Sequence, residues 1–452
     1  MESFIWYPAA NKALNIEVWN ILDDVLDIQR LSSLSIVLST LMTLLGIMLV
    51  LVIEKKISRV LNKYVALSIT IVFLSYYFAG LLYSKVNFLP YAPDSEVYFL
   101  LLQTDAVDSN LALGYKAYYY WMRPIFWFGL NSYIYITCIN IVVFIAGILF
   151  YYAAITQQTS DHYHPNCEFY LTHRALSVIL LLIWASPYWL LILPLREALL
   201  MFFLGLFLWC TVSIKRTLRN PLKLVMYLIL ATTSLVGTIS IRYQIIPLIG
   251  LLVLAILSNW RITPIIRRNY VRFCVIAVSI FAALHLFNLD YVLDPSEFTA
   301  RRNYRVENLE GTYGTVLWDS WFDVVASVPE FTIHFLFSPI STSSTPWDQT
   351  VFFADAVFIL VMFFISVLGL ISKDRRHIPN PREHRSKLLI FVIASMLFAV
   401  YEYHVGGAAR HRFIIVPILI PLASASLGAL LFSKDKRRRP LGRDESNHFD
   451  SV

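Results

Sequence analysis

The chain has 452 residues, 58% hydrophobic and only 15% charged, with a mean hydropathy of +0.63. Soluble domains carry about 45–50% apolar and about 25% charged residues, and a single water-soluble core stops growing near about 250–300 residues. A soluble enzyme, a disordered chain and a nucleic-acid-binding domain are therefore excluded, and an all-α polytopic membrane protein remains.

Crossing about 30 Å of hydrocarbon takes about 20 mostly apolar residues. Residues 13–30 come before any such run. They place Val18, Ile21, Leu22, Val25 and Ile28 on one helical face, which reads as a short interfacial helix within an external segment 1–32. Apolar runs follow near 33–53, 65–84, 132–153, 176–195, 197–214, 223–240, 244–259, 271–288, 351–372, 388–404 and 413–432. These are eleven expected spans inside a membrane domain 33–432, followed by a basic tail 433–452. Two long apolar blocks are divided by polar breaks. Pro194-Leu195-Arg196-Glu197 splits the first, and Ser240-Ile241-Arg242-Tyr243-Gln244 splits the second. The first run is too long and begins too late for a cleavable signal peptide.

Lys and Arg stay cytoplasmic. Most of the chain's 37 basic residues fall in one set of loops: Lys55 to Lys63, Lys215 to Lys223, Arg261 to Arg272, the 373–387 loop and the tail. This bias predicts a cytoplasmic C-terminus and, with an odd number of spans, an outside N-terminus in the inner (plasma) membrane. It also accounts for the pI near 9.1 without a nucleic-acid partner. Cys138, Cys210 and Cys274 fall in spans and Cys167 in a cytoplasmic loop, so no disulfide and no metal spacing are expected.

Two external segments are long, 85–131 and 289–350. The first contains Gly114-Tyr115-Lys116-Ala117-Tyr118-Tyr119-Tyr120-Trp121-Met122-Arg123-Pro124, suited to a helix at headgroup level. The second, with Phe331, Phe335, Phe337 and Trp347, suits a membrane-lying element as well. Together they suggest an outer cleft that meets lipid and water.

The basic residues that break the positive-inside pattern carry the most information. Arg123, Arg196, Arg242, Arg410 and Arg412 stand at the outer ends of spans, where desolvation is costly. An Arg near a helix end can snorkel to headgroups and do nothing else. Several together, with acids on the same side, point to an anionic partner, for which the planar guanidinium fork suits phosphate or diphosphate. Asp94 follows Pro93 and precedes an apolar helical stretch. It reads as an N-cap and equally as a general base facing an acceptor hydroxyl, since the second carboxylate oxygen stays free. Glu96 is a weaker candidate on another helical face. Glu197 orients substrate hydroxyls or only pairs with Arg196. His411, between two arginines, reads as a hydrogen-bonding group.

In order along the chain, PDSEVY, GYKAYYYWMRP, LPLREALLMFF, SLVGTISIRYQIIPLIGLLVLAIL, HFLFSPISTSSTPW and GGAARHRFIIVPILIPLAS resemble segments of the C-type membrane glycosyltransferases (GT-C). That superfamily includes dolichyl-phosphate-mannose protein mannosyltransferase-like and lipid-A aminoarabinose transferase-like proteins. Two spans precede the Asp94 loop where that family usually has one, and His411 stands where it usually has Tyr. The resemblance implies transfer of a sugar from a polyprenyl-phosphate-linked donor to a glycan or lipid-linked acceptor in the outer leaflet. Asp94 would be the base. Glu96, Arg123, Arg196, Glu197, Arg242, Tyr243, Arg410, His411 and Arg412 would bind substrate beside membrane lipids. No cofactor is implied; a divalent cation is compatible but not required. Two other classes fit the same composition. One is an O-antigen-type polymerase or ligase acting on polyprenyl-diphosphate-linked glycans, whose chemistry leans on Arg and His. The other is a lipid or solute transporter, which would place its ionisable residues near the midplane on broken helices.

Overall fold

The computed structural model describes residues 33–58, 61–83, 98–99, 101–102, 113–126, 132–160, 168–193, 195–218, 220–258, 294–307, 312–338, 346–371 and 381–438. The expected interfacial helix over 13–30, the run at 271–288, Cys167, Cys274, Asp94, Glu96 and the tail past 438 lie outside them. Among the described residues every regular element is a helix, apart from one antiparallel bridge between Thr312 and His404.

The helices are α1 (Ser33–Ser58), α2 (Lys63–Tyr83), α3 (Leu113–Phe126), α4 (Tyr133–Ser160), α5 (Glu168–Ile179), α6 (Ala185–Ile192) and α7 (Glu197–Thr217). They continue with α8 (Pro221–Ile241), α9 (Ile246–Ser258), α10 (Pro295–Glu307), α11 (Trp321–Phe337), α12 (Pro346–Ile371), α13 (Pro381–Tyr401) and α14 (Val405–Arg438). By length and composition eight of them can cross a membrane, or nine crossings if the bent pair α5/α6 is one. The eight are α1, α2, α4, α7, α8, α12, α13 and α14.

Local sequence sets several of these boundaries. Asn220 caps α8 by accepting from the Lys223 N–H at 3.1 Å, with Pro221 at the first helical position. Ser320 and Asp323 form a reciprocal capping box on α11. The backbone between α5 and α6 bends by 64° around Ile183 and Trp184, four and three residues before Pro187. A proline ring clashes with the carbonyl four residues back and offers no N–H to it, so the crossing expected at 176–195 is broken rather than straight.

Three further expectations take a different form. The run expected at 244–259 opens with a one-turn 3-10 helix at Tyr243–Ile245 and continues as α9, which is described as far as Ser258. The 289–350 segment is not a loop throughout, because α10, α11 and the start of α12 occupy most of it. The last span begins before the expected residue 413, with Arg410 and Arg412 near its start as expected. They sit in the second turn of α14, which already begins at Val405.

One group of neighbours is α1, α2, α4, α7 and α8; another is α11, α12, α13 and α14. They meet along α5/α6 and along α14, whose apolar stretch is 94% buried, against 22% for the lipid-facing α8. At the junction the buried Trp184 ring stacks on Phe413 at 5.3 Å, and Phe413 on Phe144 at 5.1 Å. Cys138 and Cys210 are buried thiols in α4 and α7. Helices α4 and α7 approach through Gly147 and Gly205: a Cβ on Gly147 would meet the backbone of Phe202 at 2.6 Å.

Candidate functional site

Three tight turns lie at one end of the bundle and bring together residues more than two hundred positions apart. The α6–α7 turn carries Arg196 and Glu197. The α8–α9 turn carries Arg242, Tyr243 and Gln244. The α13–α14 turn carries Glu402 and His404, with Arg410, His411 and Arg412 just beyond it.

Arg242, the C-cap of α8, is 6% exposed and its Nη1 lies 3.6 Å from Glu197 Oε1. Its charge also feels Arg196, Arg410 and Glu402. Burial first, then Arg196, push the guanidinium below its ordinary range, while Glu197 opposes them. Arg196 is half-buried beneath α3, over the Tyr115 ring. A Cβ on Gly114 would collide with the Arg196 guanidinium and with the Ile241 carbonyl, so glycine is required where the aromatic helix docks.

The α13–α14 turn is organised by one carboxylate. Glu402 Oε1 accepts from the Tyr403 and His404 N–H groups at 3.1 and 3.2 Å, and Oε2 lies 2.6 Å from His411 Nδ1. Burial alone would raise the Glu402 carboxyl; the His411 hydrogen bond, the neighbouring His411 and His404, and the Tyr403 N–H outweigh it and hold the carboxyl below its ordinary value. Its oxygens lie over Gly407 so closely that any Cβ there would strike them. His404 Nδ1 in turn caps α14, accepting from Gly406 and Gly407 at 3.1 and 3.2 Å. Gln244 Nε2 donates to Tyr401 Oη at 3.2 Å and ties the second turn to the third.

Several buried polar atoms here have no hydrogen-bond partner among the described residues: both Glu197 oxygens, Arg242 Nε and Nη1, His411 Nε2 and Tyr118 Oη. Tyr118 belongs to α3, packs its ring tilted against Tyr98 at 4.6 Å and lies within electrostatic reach of Glu197. Buried polar groups are almost always satisfied. Cations, a carboxylate and a hydroxyl buried at one place match the chemistry of an anionic, hydroxyl-bearing ligand.

The structure thus brings together Arg196, Glu197, Arg242, Tyr243, Arg410 and His411 at one end. Arg410 also lies over the Trp189 ring at 5.8 Å. Arg412 is placed differently. It is fully buried, its Nε is 3.1 Å from Asp355 Oδ2, and its Nη1 donates to the Leu336 and Ser338 carbonyls. Asp355 Oδ1 accepts from Trp184 Nε1 at 2.7 Å and Ser186 Oγ at 2.6 Å, so this pair locks the α5/α6 bend to α12 and α14. Arg123 reaches back from α3 to the Leu102 carbonyl, in the segment that follows Asp94. Sequence reasoning missed Glu402, Asp355, Tyr118 and Arg302. Asp355 is a lone acid inside an apolar run, which by itself marks an intramembrane partner for a cation. Glu402 stands four residues before Gly406, where the GGAARHR stretch begins.

Among the described residues no three His, Cys, Asp or Glu side chains are grouped to hold a metal ion. No family, curated protein or solved structure matches this chain.

Proposed function

We propose that this end of the bundle is the outer-face site of a GT-C-like membrane glycosyltransferase with about eleven spans, N-terminus outside and C-terminus cytoplasmic. It moves a sugar from a polyprenyl-phosphate donor to an acceptor hydroxyl. The observation that carries the reading is the convergence of Arg196, Arg242, Arg410 and Glu197 from three distant turns, with buried donors and acceptors left open between Arg242 and Glu197. Guanidinium groups match phosphate oxygens, and Glu197 with Tyr118 matches sugar hydroxyls.

The chemistry is one displacement. Asp94 takes the proton of the acceptor hydroxyl, whose oxygen forms a bond to the anomeric carbon. The bond from that carbon to the donor phosphate oxygen breaks, and its electron pair leaves with the polyprenyl phosphate. The configuration inverts. Arg242, Arg196 and Arg410 stabilise the charge that develops on the leaving phosphate, the electrostatic contribution that is usually largest. Arg412, tied to Asp355, holds the helix that presents Arg410 and His411.

The His411–Glu402 pair favours one competing reading. A carboxylate at 2.6 Å from Nδ1 fixes the imidazole and leaves Nε2 for another partner, which suits a polymerase or ligase on polyprenyl-diphosphate glycans that relies on Arg and His. Purified protein in proteoliposomes, given a polyprenyl-phosphate sugar and an acceptor, separates the two. Asp94→Asn abolishes product while lipid binding persists if the transferase reading holds. Full activity in Asp94→Asn with loss in His411→Gln supports the polymerase or ligase. Sugar flux without covalent product supports transport.

A further inference from the structure

Helix α10 places two arginines side by side with opposite environments. Arg301 is half exposed and pairs with Glu297 at 2.6 Å one turn back. Arg302 is 3% exposed. Its guanidinium lies over Phe331 at 4.8 Å and Trp318 at 5.4 Å, and Nη1 donates to the Gly314 carbonyl at 2.9 Å. Its Nε and Nη2 are buried and have no hydrogen-bond partner among the described residues. Burial pulls its pKa down to about 10, against the pull of Glu402, so it remains a cation at neutral pH. Glu402 is the same carboxylate that holds His411 and acts on Arg242.

Pinning the 312–318 segment to α10 does not need this charge. The neighbouring Asn303 does so with two bonds, Nδ2 to the Val316 carbonyl at 2.6 Å and Oδ1 from the Val316 N–H at 2.9 Å. A buried guanidinium with two unengaged nitrogens is costly unless an acceptor arrives.

We propose that Arg302 is an anion ligand of the rim site, and that α10 with residues 312–320 is a cap that delivers it to the phosphate of the lipid-linked substrate. The proposal rests on the lipid-phosphate reading above and extends it to a segment that the sequence marks only as membrane-lying.

The test uses the full chain in detergent micelles, titrated with a short-chain polyprenyl phosphate and, as control, the matching polyprenol. Wild type binds the phosphate and not the alcohol. Arg302→Gln weakens phosphate binding about tenfold or more, the scale of one charge-assisted hydrogen bond. Arg302→Lys, which keeps charge but loses the fork, weakens it by several-fold and guards against misfolding of the Gln variant. Asn303→Ala lowers the melting temperature yet leaves affinity nearly unchanged. The proposal is overturned if either Arg302 variant binds as wild type does, or if Asn303→Ala weakens binding as much as Arg302→Gln. Loss of binding confined to the Arg302 variants leaves the transferase reading intact. A wild type that binds neither lipid sinks that reading and this one with it.

Discussion

The two ends of the bundle treat buried charge in opposite ways. At the end holding Lys55, Lys63 and Lys387, polar groups engage the protein itself. Arg174 pairs with Glu54 at 2.6 Å, both buried. Lys387 donates to the Ile155 carbonyl at 2.7 Å, His173 Nε2 lies 2.8 Å from the Pro421 carbonyl, and Ser177 and Ser424 share a 2.6 Å bond. At the other end Glu197, Arg242 and Arg302 are equally buried, yet Glu197 and Arg242 stand 3.6 Å apart and leave most of their polar atoms unengaged. The difference lies in distance and company: Glu54 and Arg174 are in contact at 2.6 Å, while Glu197 and Arg242 stand 3.6 Å apart among further arginines.

The comparison breaks most visibly at Arg242. Arg242→Gln lowers sugar transfer by roughly 100-fold or more per folded molecule, the scale of losing one preorganised donor to developing charge, on top of the stability lost by leaving buried Glu197 without its cation. Arg174→Gln strands buried Glu54 and lowers stability by about 3–5 kcal/mol, with activity per folded molecule retained. Initial-rate measurements beside thermal unfolding in detergent separate the two. Equal profiles for the two variants would contradict the distinction between the ends.

Next in size is the lock behind the site. Asp355→Ala leaves Arg412 buried without its carboxylate and costs about 3–5 kcal/mol, read as a fall in unfolding temperature; no change would remove the pair from the scaffold. Gly407→Ala pushes Glu402 off His411 and lowers activity by a smaller factor, with Gly250→Ala, where a Cβ meets open space, as the silent control.

The smallest effect is on pH. The folded Glu402 carboxyl titrates below its unfolded value, so the stability it contributes is fully present above the unfolded pKa, about 4.3, and is lost as pH falls through the lower folded value. Glu402→Gln flattens that acid limb in melting curves; an unchanged limb would show that another carboxylate sets it.

Much of the fold was legible because membrane spans are written as long apolar runs. The breaks at Pro194–Glu197 and at Arg242 were legible as charge interrupting such runs. The α5/α6 bend was not, since Pro187 bends that segment while Pro417 and Pro421 leave α14 continuous, and only tertiary packing separates those outcomes. At the site, the arginines stood out because they oppose orientation. Glu402 did not, because its importance comes from a nine-residue reach to His411 across a turn. Nor could any local pattern separate Arg302 from Arg301; the structure sets them apart through Trp318 and Phe331, sixteen or more residues downstream.

The most direct measurement is a structure of the full chain with a polyprenyl phosphate bound. The phosphate is expected within hydrogen-bonding distance, about 3 Å, of Arg242 and Arg410, with the chain running out along the apolar spans. A phosphate seated at the Glu54–Arg174 end, or a lipid whose phosphate touches none of Arg196, Arg242, Arg302 and Arg410, would contradict the assignment of this site.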